Sequence, residues 1–274
     1  MTVTPQQAET APSPGAEGET VRGLRLRGVS HVYRGGVRDV VSLDPLDLDV
    51  VAGEFLVIVG PSGCGKSTLL EILAGLIRPT SGDVFIDDRR VVGPSRDRAV
   101  VFQQSTSLYP WLTVRRNVEL GLRVRNLPRS ERRSRADAEL ARVGLSEFAD
   151  QWPHELSGGM QQRCQIARAL AVDPPILLLD EPFGALDALT RENLQHSLRE
   201  IWRETRRTVV MVTHSVEEAV LLGTRVLVMS HRPGRVVDDL RFGFVTLNST
   251  VAEIRSRPDF VETCRTLRSQ LLGL

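Results

Sequence analysis

The stretch that most limits what this chain can fold into is Gly60-Pro-Ser-Gly-Cys-Gly-Lys-Ser-Thr68, set between an apolar run, Phe55 to Val59, and a helical pattern, Lys66 to Ile77. Gly60, Gly63 and Gly65 let successive backbone N–H groups turn toward one point, and a helix beginning at Lys66 adds its positive end there. A loop of that spacing between a buried strand and a helix cradles phosphate groups, with Lys66 on the outer phosphates and the Ser67 hydroxyl on Mg²⁺. Pro61, Ser62, Cys64 and Thr68 fill out the loop. Leu69, Leu70, Leu73, Leu76 and Ile77 recur at core spacing, so the expected helix turns one face inward. Lys66 is also the only lysine, every other member of the 35 Lys+Arg being arginine. Where charge alone is needed, arginine serves. At position 66 a slender ammonium threads a tight ring of amides, which a broad guanidinium fork does not.

A second set of residues gathers at the ends of later strands. Ile176-Leu-Leu-Leu-Asp180-Glu181 places two carboxylates where an apolar strand finishes, the edge at which open α/β sheets present ligands. Asp180 is suited to hold Mg²⁺, and Glu181 to orient or deprotonate an attacking water. His214 follows the run Val209 to Thr213 and so belongs to the same edge, and a buried strand, Ala99 to Phe102, leads to Gln103. The strands Ile176 to Leu179, Val209 to Val212 and Val226 to Met229 alternate with helical segments, the pattern of a parallel sheet with crossovers. Earlier segments, Val21 to Tyr33 and Val40 to Val51, alternate apolar and polar residues as a half-exposed antiparallel sheet does, and Gly82 to Ile86 reads as a short strand. Residues 113–173 carry helical periodicity and no strand. Within them Ser157-Gly158-Gly159 heads a helix with an N-cap residue and two glycines, a second anion site. Because it lies in the helical block, a head-to-tail pair of copies is needed to bring it to the phosphate loop.

Composition narrows the class. At 41% hydrophobic and 25% charged, 274 residues make an ordinary globular chain, and a net charge of +1 argues against a dedicated nucleic-acid binder. No run approaches the roughly 18–20 apolar residues of a membrane span. The first twenty residues lack the basic start and apolar stretch of a signal peptide. Cys64, Cys164 and Cys264 show neither metal nor disulfide spacing, which suits a reducing cytoplasm. Between Arg115 and Arg142, nine arginines face four acids, read here as a solvated helical face rather than a docking surface.

The phosphate loop combined with Leu156-Ser-Gly-Gly-Met-Gln-Gln-Arg163 makes residues 21–240 resemble the ATP-binding subunit of ATP-binding cassette (ABC) transporters. The resemblance implies an α/β fold: a P-loop NTPase (RecA-like) core with an antiparallel β subdomain and an inserted α-helical signature subdomain. Its expected divisions are a disordered tail over 1–20, an ATPase domain over 21–245 (core 21–103 and 174–245, helical subdomain 104–173), and a short helical extension over 246–274. It further implies that Tyr33 stacks on adenine, and that Ser157, Gly158, Gly159 and Asp187 act in trans on ATP held by a second copy. His214 contacts the γ-phosphate, and Gln103 senses Mg²⁺ and couples to the membrane partner. The loop after Gln103 is about one residue longer than usual, which leaves Gln104 as an alternative to Gln103. Leu108-Tyr-Pro-Trp111, Asp180-Glu-Pro-Phe-Gly-Ala-Leu-Asp187 and Val228-Met-Ser-His-Arg-Pro-Gly234 look like the nitrate, sulfonate and taurine type of importer. That type implies a homodimer at the cytoplasmic face of the membrane, permease subunits and an extracytoplasmic solute-binding protein, with no nucleic acid. A non-transport ABC ATPase of DNA repair or translation is the alternative.

The solitary lysine permits a direct check. ATP is expected to slow amine-directed modification of Lys66 severalfold, read by peptide mass spectrometry, and equal labelling with and without ATP would count against a phosphate role.

Overall fold

The computed structural model describes residues 23–35, 38–103, 108–184, 186–246 and 249–273. The tail expected over 1–20 and the alternative glutamine Gln104 lie outside the described residues. In chain order, β1 (Leu24–Tyr33) and β2 (Val40–Val50) precede β3 (Phe55–Val59), which leads through the phosphate loop into α1 (Lys66–Ala74). β4 (Ser81–Ile86), β5 (Arg89–Arg90) and β6 (Arg98–Val101) follow, and then three helices, α2 (Val114–Arg123), α3 (Arg129–Arg142) and α4 (Gly158–Ala171). The chain continues with β7 (Ile176–Asp180), α5 (Ala188–Thr205), β8 (Thr208–Thr213), α6 (Val216–Leu222), β9 (Arg225–Met229) and β10 (Val236–Arg241). It finishes with α7 (Val251–Ser256) and α8 (Pro258–Leu272).

Two sheets result, an antiparallel one in the order β2-β1-β4-β5 and a larger one in the order β10-β9-β3-β8-β7-β6. Every pairing in the larger sheet is parallel except that of β10 with β9. β3 shows why this sheet sits in the middle. All five of its side chains are buried, and strand alternation sends them to opposite faces. Leu56 and Ile58 join α1 and the inner face of the antiparallel sheet, whereas Phe55, Val57 and Val59 join the core shared with α2 to α8.

Several elements differ from expectation. The α1 helix stops at Ala74 rather than Ile77, because Gly75 takes a left-handed φ of 75° and the amides of Gly75 and Leu76 turn back to Ile72 and Glu71. This is a glycine C-cap, and it swings Leu76 out to 46% exposure instead of into the core. Strand β6 ends at Val101, leaving Phe102 partly exposed. Strand β10 was not anticipated, since Asp238 and Asp239 interrupt its apolar pattern on a sheet edge. The α8 helix opens two residues earlier than expected, on Pro258, whose missing N–H suits a first turn. Among the described residues, no helix is long and apolar enough to cross a membrane.

The C-terminal helices have no core of their own; Val251, Ile254, Cys264 and Leu267 join the main one. Arg199 of α5 ties them in. It is fully buried, and its guanidinium donates to the carbonyls of Ser249 (3.0 Å), Thr246 (2.6 Å) and Leu222 (3.4 Å) while lying over the Trp202 ring. Burial pulls its pKa down to about 10, still high enough to keep it charged at neutral pH. Arg199→Met keeps much of the packing but strands three carbonyls. It is expected to destabilise the protein by about 2–4 kcal/mol, seen as a lowered urea midpoint.

Candidate active site

Strand register places the site. Val59 pairs with Thr213, Val212 with Asp180, and Leu179 with Val101, so four parallel strands end along one line. The residues that leave those ends are the phosphate loop, Glu181, His214 and Gln103. They meet in a cleft of about 510 Å³ that Tyr33, Lys66, Ser67 and Thr68 also line.

The loop is held from both sides. Gly65 has a φ of 104°, and a Cβ there would stand 2.7 Å from the Ser42 carbonyl, so only glycine fits. On the other side, a Cβ on Gly234 would meet the Cys64 carbonyl, which shows how closely the segment after β9 packs on the loop. Lys66 is 6% exposed and donates to the Gly60 and Pro61 carbonyls, both at 2.8 Å. Cys64, a candidate loop residue, is buried and so is shielded from reagents. Thr68 links the loop to the antiparallel sheet, its hydroxyl lying 3.0 Å from Ser42 Oγ and 3.1 Å from the Tyr33 hydroxyl. Tyr33 is 45% exposed, which leaves its ring open at the cleft edge.

Two carboxylates divide the far side. Ser67 Oγ donates to Asp180 Oδ1 at 3.2 Å, an adjacent hydroxyl and carboxylate of the hard-oxygen kind that Mg²⁺ takes. Among the described residues no group of three or more His, Cys, Asp and Glu could hold a metal, so an ion here depends on phosphate and hydroxyl oxygens as well. Glu181 follows with a φ of 45°, in the left-handed region, where a non-glycine residue costs about 1–3 kcal/mol. Its N–H is anchored to the Val212 carbonyl at 2.9 Å. Gln103 Nε2 donates to Glu181 Oε2 at 2.9 Å, and His214 Nδ1 lies 3.1 Å from the same oxygen, donating as the Nδ1–H tautomer. Among the described residues nothing donates to Oε1.

The remaining candidates stand elsewhere. Ser157 caps α4, accepting from Met160 N at 3.3 Å, with Gly158 exposed beside it. Asp187 caps α5, and the Thr190 amide holds its carboxyl below the usual range. Neither these nor Gly159 line the cleft of their own chain. Two cleft residues escaped sequence reasoning. Ser42 gave no signal beyond a polar position in a strand. Arg232, whose Nε donates to the Gly63 carbonyl at 3.1 Å, stands in the Ser-His-Arg-Pro-Gly run already noticed for its pattern.

Burial holds the Asp180 carboxyl above its ordinary range; the Ser67 hydroxyl bond and Lys66 oppose the shift, and the Glu181 charge adds to it. A folded pKa above the unfolded one favours the protonated form, so this group's support is full below the unfolded value and is lost as pH rises through the folded value. Without nucleotide and with chelator, Asp180→Asn is therefore expected to melt above wild type at pH 7. That gap should shrink as pH falls toward about 4.

Comparison with known proteins agrees with this geometry. Residues 43–184, more than half of the chain, match the protein family described as ABC transporter. A putative ATP-binding protein of Brucella abortus is 56% identical over 196 residues, spanning 72% of this chain and 75% of that protein. A taurine import ATP-binding protein of Rhizobium johnstonii is 50% identical over 237 residues, spanning 85% of this chain and 90% of that protein. Among solved structures, a dimeric ATP-binding cassette in a post-hydrolysis state, bound to ADP and Pi, has a TM-score of 0.73 at 38% identity and covers 80% of this chain and 98% of that one. The chain thus belongs to the ABC transporter family, as an ATP-binding and ATP-hydrolysing subunit.

Proposed function

We propose that the chain energises an importer of nitrate, sulfonate, taurine or a related small solute, working as a homodimer on the cytoplasmic face of the membrane. The observation that carries the ATPase half of this reading is the bracketing of Glu181 Oε2 by Gln103 and His214, at the strand edge that also presents Lys66, Ser67 and Asp180. Two donors fix the carboxylate's direction, and Oε1 stays free to take a proton from water. Lys66 exchanges its two loop carbonyls for the β- and γ-phosphates. Ser67, Asp180 and Gln103 hold Mg²⁺, which supplies charge neutralisation at the phosphates when bound. The open ring of Tyr33 stacks on adenine.

Ser157, Gly158, Gly159 and Asp187 stand outside their own cleft at two capped helix starts, positions suited to reach the nucleotide of a second copy. The dimeric cassette among the similar structures supports that pairing. Partners in the membrane are permease subunits, met through the segment from Gln103 to Trp111, with an extracytoplasmic solute-binding protein selecting cargo. Tyr109 and Trp111 of that segment are exposed, and Trp111 is 66% so. Relatives named for taurine import favour a sulfonate among the solutes. Glu181→Gln keeps the shape of the side chain and removes the base. ATP hydrolysis is expected to fall about 10²–10⁴-fold while ATP stays bound and the dimer persists in gel filtration. Turnover at the wild-type rate would show that Glu181 is not the base.

A further inference from the structure

Away from the nucleotide, a cleft of about 480 Å³ opens between α2 and α3, lined by Arg115, Arg116, Arg123, Arg129, Arg132 and Arg133. Glu119 and Asp150 are the acids in that lining. Arg116, Arg123, Arg129 and Arg133 are exposed, and Arg115 and Arg132 are half-buried. On α3, Arg129, Arg132 and Arg133 stand four or seven residues before the buried Ala136 and Leu140 and so continue that row toward the start of the helix, with Arg129 and Arg133 open to solvent. On α2, Arg115, Glu119 and Arg123 form one i, i+4 row beside the buried row of Val114, Val118 and Leu122.

Pairing differs between the faces. Outside the cleft, Arg135 and Arg142 are neutralised within α3 by Glu131 and Glu139. Inside it, Arg115 is bound to Asp137 and Asp150, and Arg133 lies 3.8 Å from Asp137. Arg132 gives one N–H to the Leu127 carbonyl, and its Nε is buried with no partner. Among the described residues the guanidinium groups of Arg116, Arg123 and Arg129 have no hydrogen bond or ion pair at all. Six guanidinium groups face three carboxylates, Glu119, Asp137 and Asp150, an excess of positive charge that favours an anion in the cleft. In a chain with one lysine, the choice of arginine says nothing by itself. Its planar fork nevertheless sets the chemistry, matching the paired oxygens of a phosphate.

We infer that this cleft is a binding site for a multiply charged phosphoryl anion, presented either by a lipid headgroup or by a soluble phosphate compound. Through α2 such a ligand is linked to the segment 109–113. Asn117 of α2 accepts from the Tyr109 amide and donates to the carbonyls of Tyr109, Leu112 and Thr113. The inference is independent of which solute is carried.

The test uses a triple variant, Arg116→Gln, Arg123→Gln, Arg129→Gln, which changes unpaired groups and leaves basal ATP hydrolysis intact. One arm measures binding to vesicles of phosphatidic acid, a phosphomonoester, in phosphatidylcholine. The other measures pyrophosphate binding, with Lys66→Ala added to both proteins to silence the phosphate loop. The wild-type cleft is expected to bind at least one probe, more weakly at high salt, and the triple change to weaken that binding about 100-fold, three arginines at about 1 kcal/mol each. Vesicle binding that pyrophosphate does not displace identifies a headgroup, and pyrophosphate binding without vesicles identifies a soluble ligand. No binding by the wild type, or equal binding by the variant, overturns the inference. So does a variant whose only loss is association with the permease, which makes the cleft a protein contact.

Discussion

The parallel register of β6, β7, β8 and β3 is the constraint on which the site depends. Backbone hydrogen bonding lines up Val101, Leu179 with Asp180, Val212 with Thr213, and Val59, so four loops distant in sequence leave the sheet side by side. A slip of one residue in any pair would exchange the two faces of a strand and move its loop. The cost of such a slip is high because β3, β7, β8 and β9 are buried throughout, with α1 and the antiparallel sheet on one side and helices on the other. The precision of the cleft is thus set by apolar packing far from the polar groups that use it.

Against this rigid line, Glu181 stands out. Its left-handed backbone is strained, and two side chains from separate strands hold its carboxylate. Gln103 follows the end of β6, while His214 leads directly into α6, whose Ser215 caps the helix. The C-terminal helices pack against α6 and are tied to α5 through Arg199. Displacement of Glu181 thereby has a mechanical route out of the cleft, through His214 toward α6 and the C-terminal helices.

Most of this architecture was legible in the chain. The central strands are apolar runs, and the phosphate loop sits where a strand becomes a helix, so pattern and motif agreed. What escaped lay where local pattern and tertiary context part. β10 carries Asp238 and Asp239 on an edge, which hides its alternation, and α1 was drawn too long because Leu76 and Ile77 keep the helical spacing after Gly75 has already turned the backbone. Arg232 and Ser42 reach the cleft only because two loops fold back on the phosphate loop, a closeness with no local trace. The helix start at Ser157 is visible in the sequence as a cap, and the fold places it outside its own chain's cleft.

The Lys66 ammonium donates inward to the Gly60 and Pro61 carbonyls of its own loop, at 2.8 Å each. The carbonyls set a partial negative charge against a positive one in a turn whose amides point the other way. A phosphate that took Lys66 as its partner would replace these two bonds, and their loss would offset part of its gain. The same two bonds brace the turn from Gly60 to Lys66 from inside, so the shape of the loop is set in part by its own charged side chain.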